Sequence, residues 1–385
     1  MWAGIEPEEG KINRTYVDVL KSIVEQYAEY GIYVILDMHQ DVLWQAGEYE
    51  DQGYWGVPKW IKDKLEKPKN TYPWPFLNIT SWACGYFTEE VSHGFGQFYS
   101  NVNGVADSFA NFWGFMAQEF KEYDTVLGYE LINEPFVGDI YQAFSLMLPG
   151  LAGSLNLAPL YEKAAAEIRK VDSETIIFYE PVIWSYFPPV DENPVLDSLL
   201  TNLLNTMDIF NFRMFFEAIC GPMVDEILEI DGKMIDSKVD ILGPGFTHVP
   251  GGSNYENRSV LSWHYYCATF TGNATLDTIL GQFMCDVVTA PQFFNTVQSR
   301  IEEIGGGSML TEFGLCTPNA TNPGDGNTIE CNAVMHLADR YFQSWTYWDT
   351  SDEDKFWDAN NKLINETVCV FSRPFHYLPM VCQNH

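Results

Sequence analysis

Two apolar periods alternate along the chain. Tyr16, Val19, Leu20, Ile23, Val24 and Tyr27 fall at helical spacing, with Gly31 as a C-terminal stop. The unbroken run Ile32–His39 then reads as a buried strand. The rhythm repeats with helices predicted over Val105–Tyr123, Pro159–Val171, Pro291–Ile304 and Ile329–Phe342. Strands follow them at Val126–Ile132, Thr175–Pro181, Ser308–Gly314 and Ser344–Trp348, and a further strand, Val260–Tyr266, follows a long irregular stretch. Strands this apolar are covered on both faces, which predicts a parallel sheet.

An open doubly wound sheet and a (β/α)8 TIM barrel both satisfy that order. No Gly-rich phosphate loop follows any strand, which weakens the first. Polar residues gather at strand C-terminal ends: His39 and Asp41, Asn133 and Glu134, Glu180, His264, Glu312 and Trp348. Barrel active sites are built there, from several strands at once, so the barrel is favoured, although six strands are visible where closure needs eight. Tyr54–Asn103 reads as a long strand-to-helix loop and Asp191–Asn257 as an insertion. The rhythm stops after Asp358, which gives a catalytic domain over 1–358 and, over 359–385, the opening of a β module.

Charge narrows the partners. The chain has 21 basic against 53 acidic residues, a net charge of −32, so neither nucleic acid nor anionic lipid headgroups are expected to bind by charge. Eight cysteines include no CxxC pair, which argues against a zinc ribbon. Local pairing would join Cys316 to Cys331, Cys369 to Cys382 and Cys267 to Cys285, leaving Cys84 for Cys220. Glycosylation acceptors stand at Asn13, Asn78, Asn257, Asn273, Asn319 and Asn365, and with the cysteines they favour a secreted or lysosomal protein. Met1–Pro7 has no signal-peptide pattern, and no apolar run reaches the ~18 residues of a membrane span.

The strand-end residues suggest glycosidic cleavage. Glu134, in Asn133-Glu134-Pro135, and Glu312, in Thr311-Glu312-Phe313-Gly314, form a candidate pair of carboxyl groups. One carboxylic acid protonates the leaving oxygen while the other, ionised, attacks the anomeric carbon; a retaining pair stands ~5–5.5 Å apart. Asn133 fits a donor to the sugar 2-hydroxyl. His39 and Asp41 fit sugar binding better than a metal pair, because the chain has only 7 His and no second His-rich cluster. His264 and Tyr266, two residues apart, share a strand face, and the Tyr could donate to the nucleophile. Trp348 is placed to floor the sugar ring, with Trp345 as the competing position. The uncharged stretch Phe144–Leu160 is either a loop packed on the barrel rim or a receiver for a lipid tail.

The segments MWAGIEPEEG, LDMHQDVLWQ, VLGYELINEPFVGDIY, GFTHVPGG, LSWHYYC and LTEFG resemble family 5 of the glycoside hydrolases, in its endoglycoceramidase branch. The resemblance runs from Met1 to about Trp348 in family order. It implies a retaining enzyme that cuts between the glycan and the ceramide of glycosphingolipids, with Glu134 as acid/base and Glu312 as nucleophile. It also implies a sugar-binding shell of His39, Asp41, Trp82, Asn133, His264, Tyr266 and Trp348, no cofactor, no metal and a monomer in transient contact with a membrane or micelle surface. Relatives that act on glucosylceramide or steryl glucosides leave a second activity open, and a fragment that only binds glycolipid leaves a third. By the same resemblance Met1–Trp2 falls at the end of the second barrel strand. Strands one and two, the family's nucleophile-supporting Arg and any signal peptide are then expected to be absent, along with nearly all of the C-terminal β-sandwich. Such a chain is expected to expose two open sheet edges and to be insoluble or inactive alone.

Overall fold

A computed structural model describes residues 1–43, 56–79, 82–183, 243–266, 284–314 and 328–348. They form two compact units: Met1–Leu261 with Arg300–Gly307, and Ser262–Ser299 with Ser308–His385.

The first unit holds β1 (Val34–Asp37), β2 (Val126–Glu130), β3 (Ile176–Tyr179) and the first half of β4 (Ser259–His264). They pair in parallel in chain order, with Asp37 opposite Glu130, Glu130 opposite Phe178, and Tyr179 opposite Leu261. Its helices are α1 (Trp2–Ile5), α2 (Arg14–Glu29), α3 (Lys59–Lys64), α4 (Glu89–Tyr99), α5 (Val105–Phe120) and α6 (Ala158–Arg169). The second unit continues the order β4, β5 (Gly307–Gly314), β6 (Ser344–Trp348), with β5 and β6 parallel. It carries most of α7 (Ala290–Ile304) and all of α8 (Thr328–Arg340). The architecture is therefore α/β with six strands described, each paired in parallel and most preceded by a helix, as expected from the sequence.

The core of the first unit is aromatic. On α5, Phe109, Trp113, Met116 and Phe120 recur at helical spacing and are all fully buried. Each such side chain contributes about 1.5–3 kcal/mol through removal from water. Trp113 keeps its indole N–H satisfied by donating to the Leu131 carbonyl at 2.9 Å. Gly128 of β2 is required by packing: a Cβ there would stand 2.3 Å from the Phe178 ring. In the second unit Trp263 packs edge-on against Phe294 at 4.8 Å and donates to Gln343 Oε1 at 2.9 Å.

Three expectations change. Tyr54–Asn103 is not a plain loop, since it contains α3 and α4. Helix α4 opens with Thr88, whose hydroxyl accepts from the Val91 N–H, followed by Glu89 and Glu90 in the first turn. Gly94 and Gly96 conceal its periodicity, and tertiary packing overrides their low propensity. Trp2, expected at a strand end, instead opens a helical turn and is fully buried against Trp60 and Phe112. On α2 the buried seam is Val17 and Val24, whereas Val19, Ile23 and Tyr27 are exposed, so the apolar pattern is wider than the face that packs.

Several expectations lie outside the described residues: the module at 359–385, residues 191–242 of the Asp191–Asn257 insertion, and Cys220, Cys267, Cys316, Cys369 and Cys382. Cys84, Cys285 and Cys331 are disulfide-bonded. Asn13, Asn78 and Asn257 are exposed. Among the described residues no helix is long and apolar enough to cross a membrane.

Candidate active site

The first unit assembles His39, Asp41, Asn133 and Glu134 beyond the ends of β1 and β2. His39 Nδ1 lies 2.9 Å from Asp37 Oδ2, and Nε2 lies 3.6 Å from Asp41 Oδ2. Burial pulls the imidazolium pKa down, but the hydrogen bonds and charges of Asp37 and Asp41 outweigh it and push the value up to about 11. The flanking carboxylates thereby favour the imidazolium form of His39 at neutral pH. Asn133 is buried, donates through Nδ2 to the Gln40 carbonyl at 3.0 Å, and faces Asp41 Oδ1 at 3.5 Å, beyond the usual N–H···O range.

Glu134 has φ of 40°, in the left-handed region that non-glycine residues rarely occupy. Its N–H donates to Glu180 Oε2 at 3.1 Å. Its carbonyl accepts from the Tyr86 hydroxyl at 3.0 Å and from Gln40 Nε2 at 3.1 Å. The following loop is fastened to α4. Ser92 Oγ donates to the Gly138 carbonyl at 2.8 Å and accepts from the Ile140 N–H at 2.9 Å. His93 Nδ1 meets Asp139 Oδ2 at 2.7 Å, and that hydrogen bond raises the His93 pKa against the opposing effect of burial. A Cβ on Gly96 would stand 2.7 Å from the Asp139 Cβ, so a larger residue would force helix and loop apart.

The second unit assembles His264, Tyr266, Glu312 and Trp348. Glu312 projects from β5, its side chain largely buried. The Tyr266 hydroxyl donates to Glu312 Oε1 at 2.7 Å, and His264 Nδ1 lies 3.7 Å from Oε2. β4 ends at His264, and the Tyr265 N–H donates to the Glu312 carbonyl at 3.0 Å, so Tyr266 reaches the carboxylate from just past the strand. A Cβ on Gly314 would come 2.0 Å from the Trp348 carbonyl, which explains the glycine two residues after Glu312. Between the competing tryptophans, Trp345 packs edge-on against Phe313 at 5.4 Å, while Trp348 is 44% exposed. Trp82 lies in a 3-10 turn, Trp82–Phe87, and its side chain is outside the described residues.

Asp37, Gln40 and Tyr86 join these groups without having been singled out from the sequence, and Glu180, noted there only as a strand-end residue, joins them through the Glu134 N–H. Asp37 and Gln40 flank His39, and Glu180 ends β3. Tyr86 sits in a segment whose turns carry no periodic signal.

Residues 1–354 match the cellulase family, glycosyl hydrolase family 5. The chain belongs to that family. It is 37% identical over 365 residues to an endoglycoceramidase of Cyanea nozakii, a match covering 90% of this chain and 56% of that protein. It is 38% identical over 281 residues to an endoglycoceramidase of Hydra vulgaris, covering 69% of this chain and 43% of that protein. The chain thus spans about half the length of these relatives, 56% and 43%. Endo-glycoceramidase II from Rhodococcus sp. in a ganglioside GM3 complex shares the fold, with a TM-score of 0.63 at 19% identity over 96% of this chain and 69% of that one.

Proposed function

We propose that this family 5 chain carries the chemistry of a retaining endoglycoceramidase, which cleaves the β-glycosidic bond between a glycan and ceramide. The observation that carries the reading is the Tyr266–Glu312 hydrogen bond of 2.7 Å. A donor fixed on Oε1 favours the ionised carboxylate that the attack requires. The similarity to two endoglycoceramidases supports the choice of substrate.

In the first step the Glu312 carboxylate bonds the anomeric carbon while the carboxyl of Glu134 gives its proton to the glycosidic oxygen, and ceramide leaves as an alcohol. In the second, Glu134 takes a proton from water and the hydroxide attacks the anomeric carbon. Glu312 departs as carboxylate and the glycan is released with a free reducing end. Asn133, with one N–H unspent on a short bond, is assigned to the sugar 2-hydroxyl. Asp41 and His39 take further hydroxyls, and Trp348 takes a ring face. The segment 144–160 packs Leu146, Leu151, Leu157 and Leu160 into the protein and leaves Leu155 exposed, so Leu155 is assigned to the lipid.

The test is mass spectrometry of products from ganglioside and from glucosylceramide. Intact oligosaccharide plus ceramide is expected. Turnover of glucosylceramide or a steryl glucoside alone would select that narrower activity. Folded protein inactive on all of them would overturn the reading in favour of a glycolipid-binding role.

A further inference from the structure

Glu134 is held in a conformation that a glutamate does not choose. The left-handed region is unfavourable for a non-glycine residue and persists only where the surroundings over-determine it. Here two side chains do so. Gln40 is fully buried; its Nε2 donates to the carbonyls of Asn133 and Glu134, and its Oε1 accepts from the Leu43 N–H at 2.7 Å. Tyr86 is also fully buried and donates to the Glu134 carbonyl at 3.0 Å. Its ring stacks on Phe136 at 5.5 Å, two residues past Glu134, and its hydroxyl lies 3.4 Å from Gln40 Nε2.

Leu43 and its neighbour Val42 also have positive φ, 60° and 52°. One buried carboxamide therefore ties two strained turns together, the one after β1 that carries His39 and Asp41 and the one after β2 that carries Asn133 and Glu134. Burial, reinforced by the charges of Glu134 and Asp41, pushes the Tyr86 hydroxyl well above its ordinary range, so it remains a donor at any working pH.

We infer that Gln40 and Tyr86 are positioning residues that lock the Glu134 backbone at positive φ and so aim its carboxyl, without touching substrate themselves. The inference rests on the role of Glu134 as acid/base. A displacement of the order of 1 Å at a reacting group costs up to about 100-fold in rate. Proton delivery is the step that suffers, so the loss depends on how much the leaving group needs the proton.

Tyr86→Phe removes one oxygen, and Gln40→Met removes both polar ends at similar volume. Each is assayed on a glycolipid and on an aryl glycoside with a good leaving group, beside Glu134→Gln. Each clamp variant is expected to lose about 10–100-fold in kcat on the glycolipid with KM within about twofold, and far less on the aryl glycoside. Equal loss on both substrates, or no loss in folded Tyr86→Phe, overturns the clamp. If Glu134→Gln itself shows no leaving-group dependence, the acid/base reading fails instead. A crystal structure of Tyr86→Phe combined with Gln40→Met then decides the clamp alone: it predicts that Glu134 leaves the left-handed region, and retention of positive φ refutes it. If Gln40→Met does not fold, Tyr86→Phe carries both readouts.

Discussion

Tyr266→Phe tests the proposed nucleophile most directly. The substitution keeps the ring and deletes the oxygen that donates to Glu312 Oε1 at 2.7 Å. His264 at 3.7 Å is too distant to replace it as a full hydrogen bond. A hydrogen bond to a charged, largely buried acceptor is worth about 1.5–3 kcal/mol. At 1.36 kcal/mol per tenfold, kcat/KM should fall about 10–150-fold. Two accompanying effects identify the cause. Loss of a donor disfavours the ionised carboxylate, so the acid limb of the pH–rate profile should move to higher pH. A less stabilised Glu312 carboxylate is also a poorer leaving group in the second step, so the glycosyl-enzyme should live longer. An aryl glycoside, whose first step is fast, should show this as a burst followed by slow turnover. Steady-state and stopped-flow kinetics across the pH range measure all three. A folded variant within about twofold of the parent and with an unmoved acid limb would refute the assignment of Tyr266 and weaken that of Glu312.

Glu134→Gln should lose activity on natural glycolipids and keep much more on aryl glycosides with good leaving groups, whereas Glu312→Gly should lose both; similar losses for the two variants on both substrates would reject the division of roles. Trp348→Ala should raise KM with little change in melting temperature, and Trp345→Ala should instead cost about 1–3 kcal/mol of stability through its lost packing on Phe313, which thermal melts and kinetics separate. His39, with its pKa pushed up to about 11, should stay protonated from about pH 5 to 9, and an NMR titration midpoint near the ordinary histidine value would contradict the paired carboxylates. Because that value is raised on folding, the stability His39 contributes is fully present below the unfolded pKa of about 6.5 and is lost as pH rises through about 11.

Strand positions were legible because the β runs are apolar on both faces and each ends in polar residues; all six fall within a few residues of the periodicity. That Glu134 follows β2 and that Glu312 lies on β5 was legible for the same reason. Helix α4 was not, since Gly94 and Gly96 interrupt its pattern, and the reason for Gly96 is Asp139, more than forty positions away. The turn of Trp2 was hidden likewise, because its burial depends on Trp60 and Phe112. Nor does any local signal show that Glu134 has positive φ. That conformation is imposed by Gln40 and Tyr86, which sequence spacing cannot place against it.

The His39 cluster shows how an acidic chain serves the proposed reaction. Asp37, His39 and Asp41 together carry two negative charges and one positive, a net of one negative charge at neutral pH. Without the imidazolium, two neighbouring carboxylates would repel and lose the partner that holds them together. With it, Asp41 is held in place for its proposed role as acceptor of a sugar hydroxyl, and the cluster is formally net negative. Glycosidic cleavage passes through an oxocarbenium-like transition state, with positive charge developing on the ring. A preorganised negative cluster favours that charge more than the neutral ground state, so it lowers the barrier and does not merely tighten binding. Removing His39 takes away the ion-pair partner of Asp37 and Asp41 and should therefore damage catalysis by misplacing Asp41, even though the lost charge is positive and the formal charge of the cluster becomes more negative.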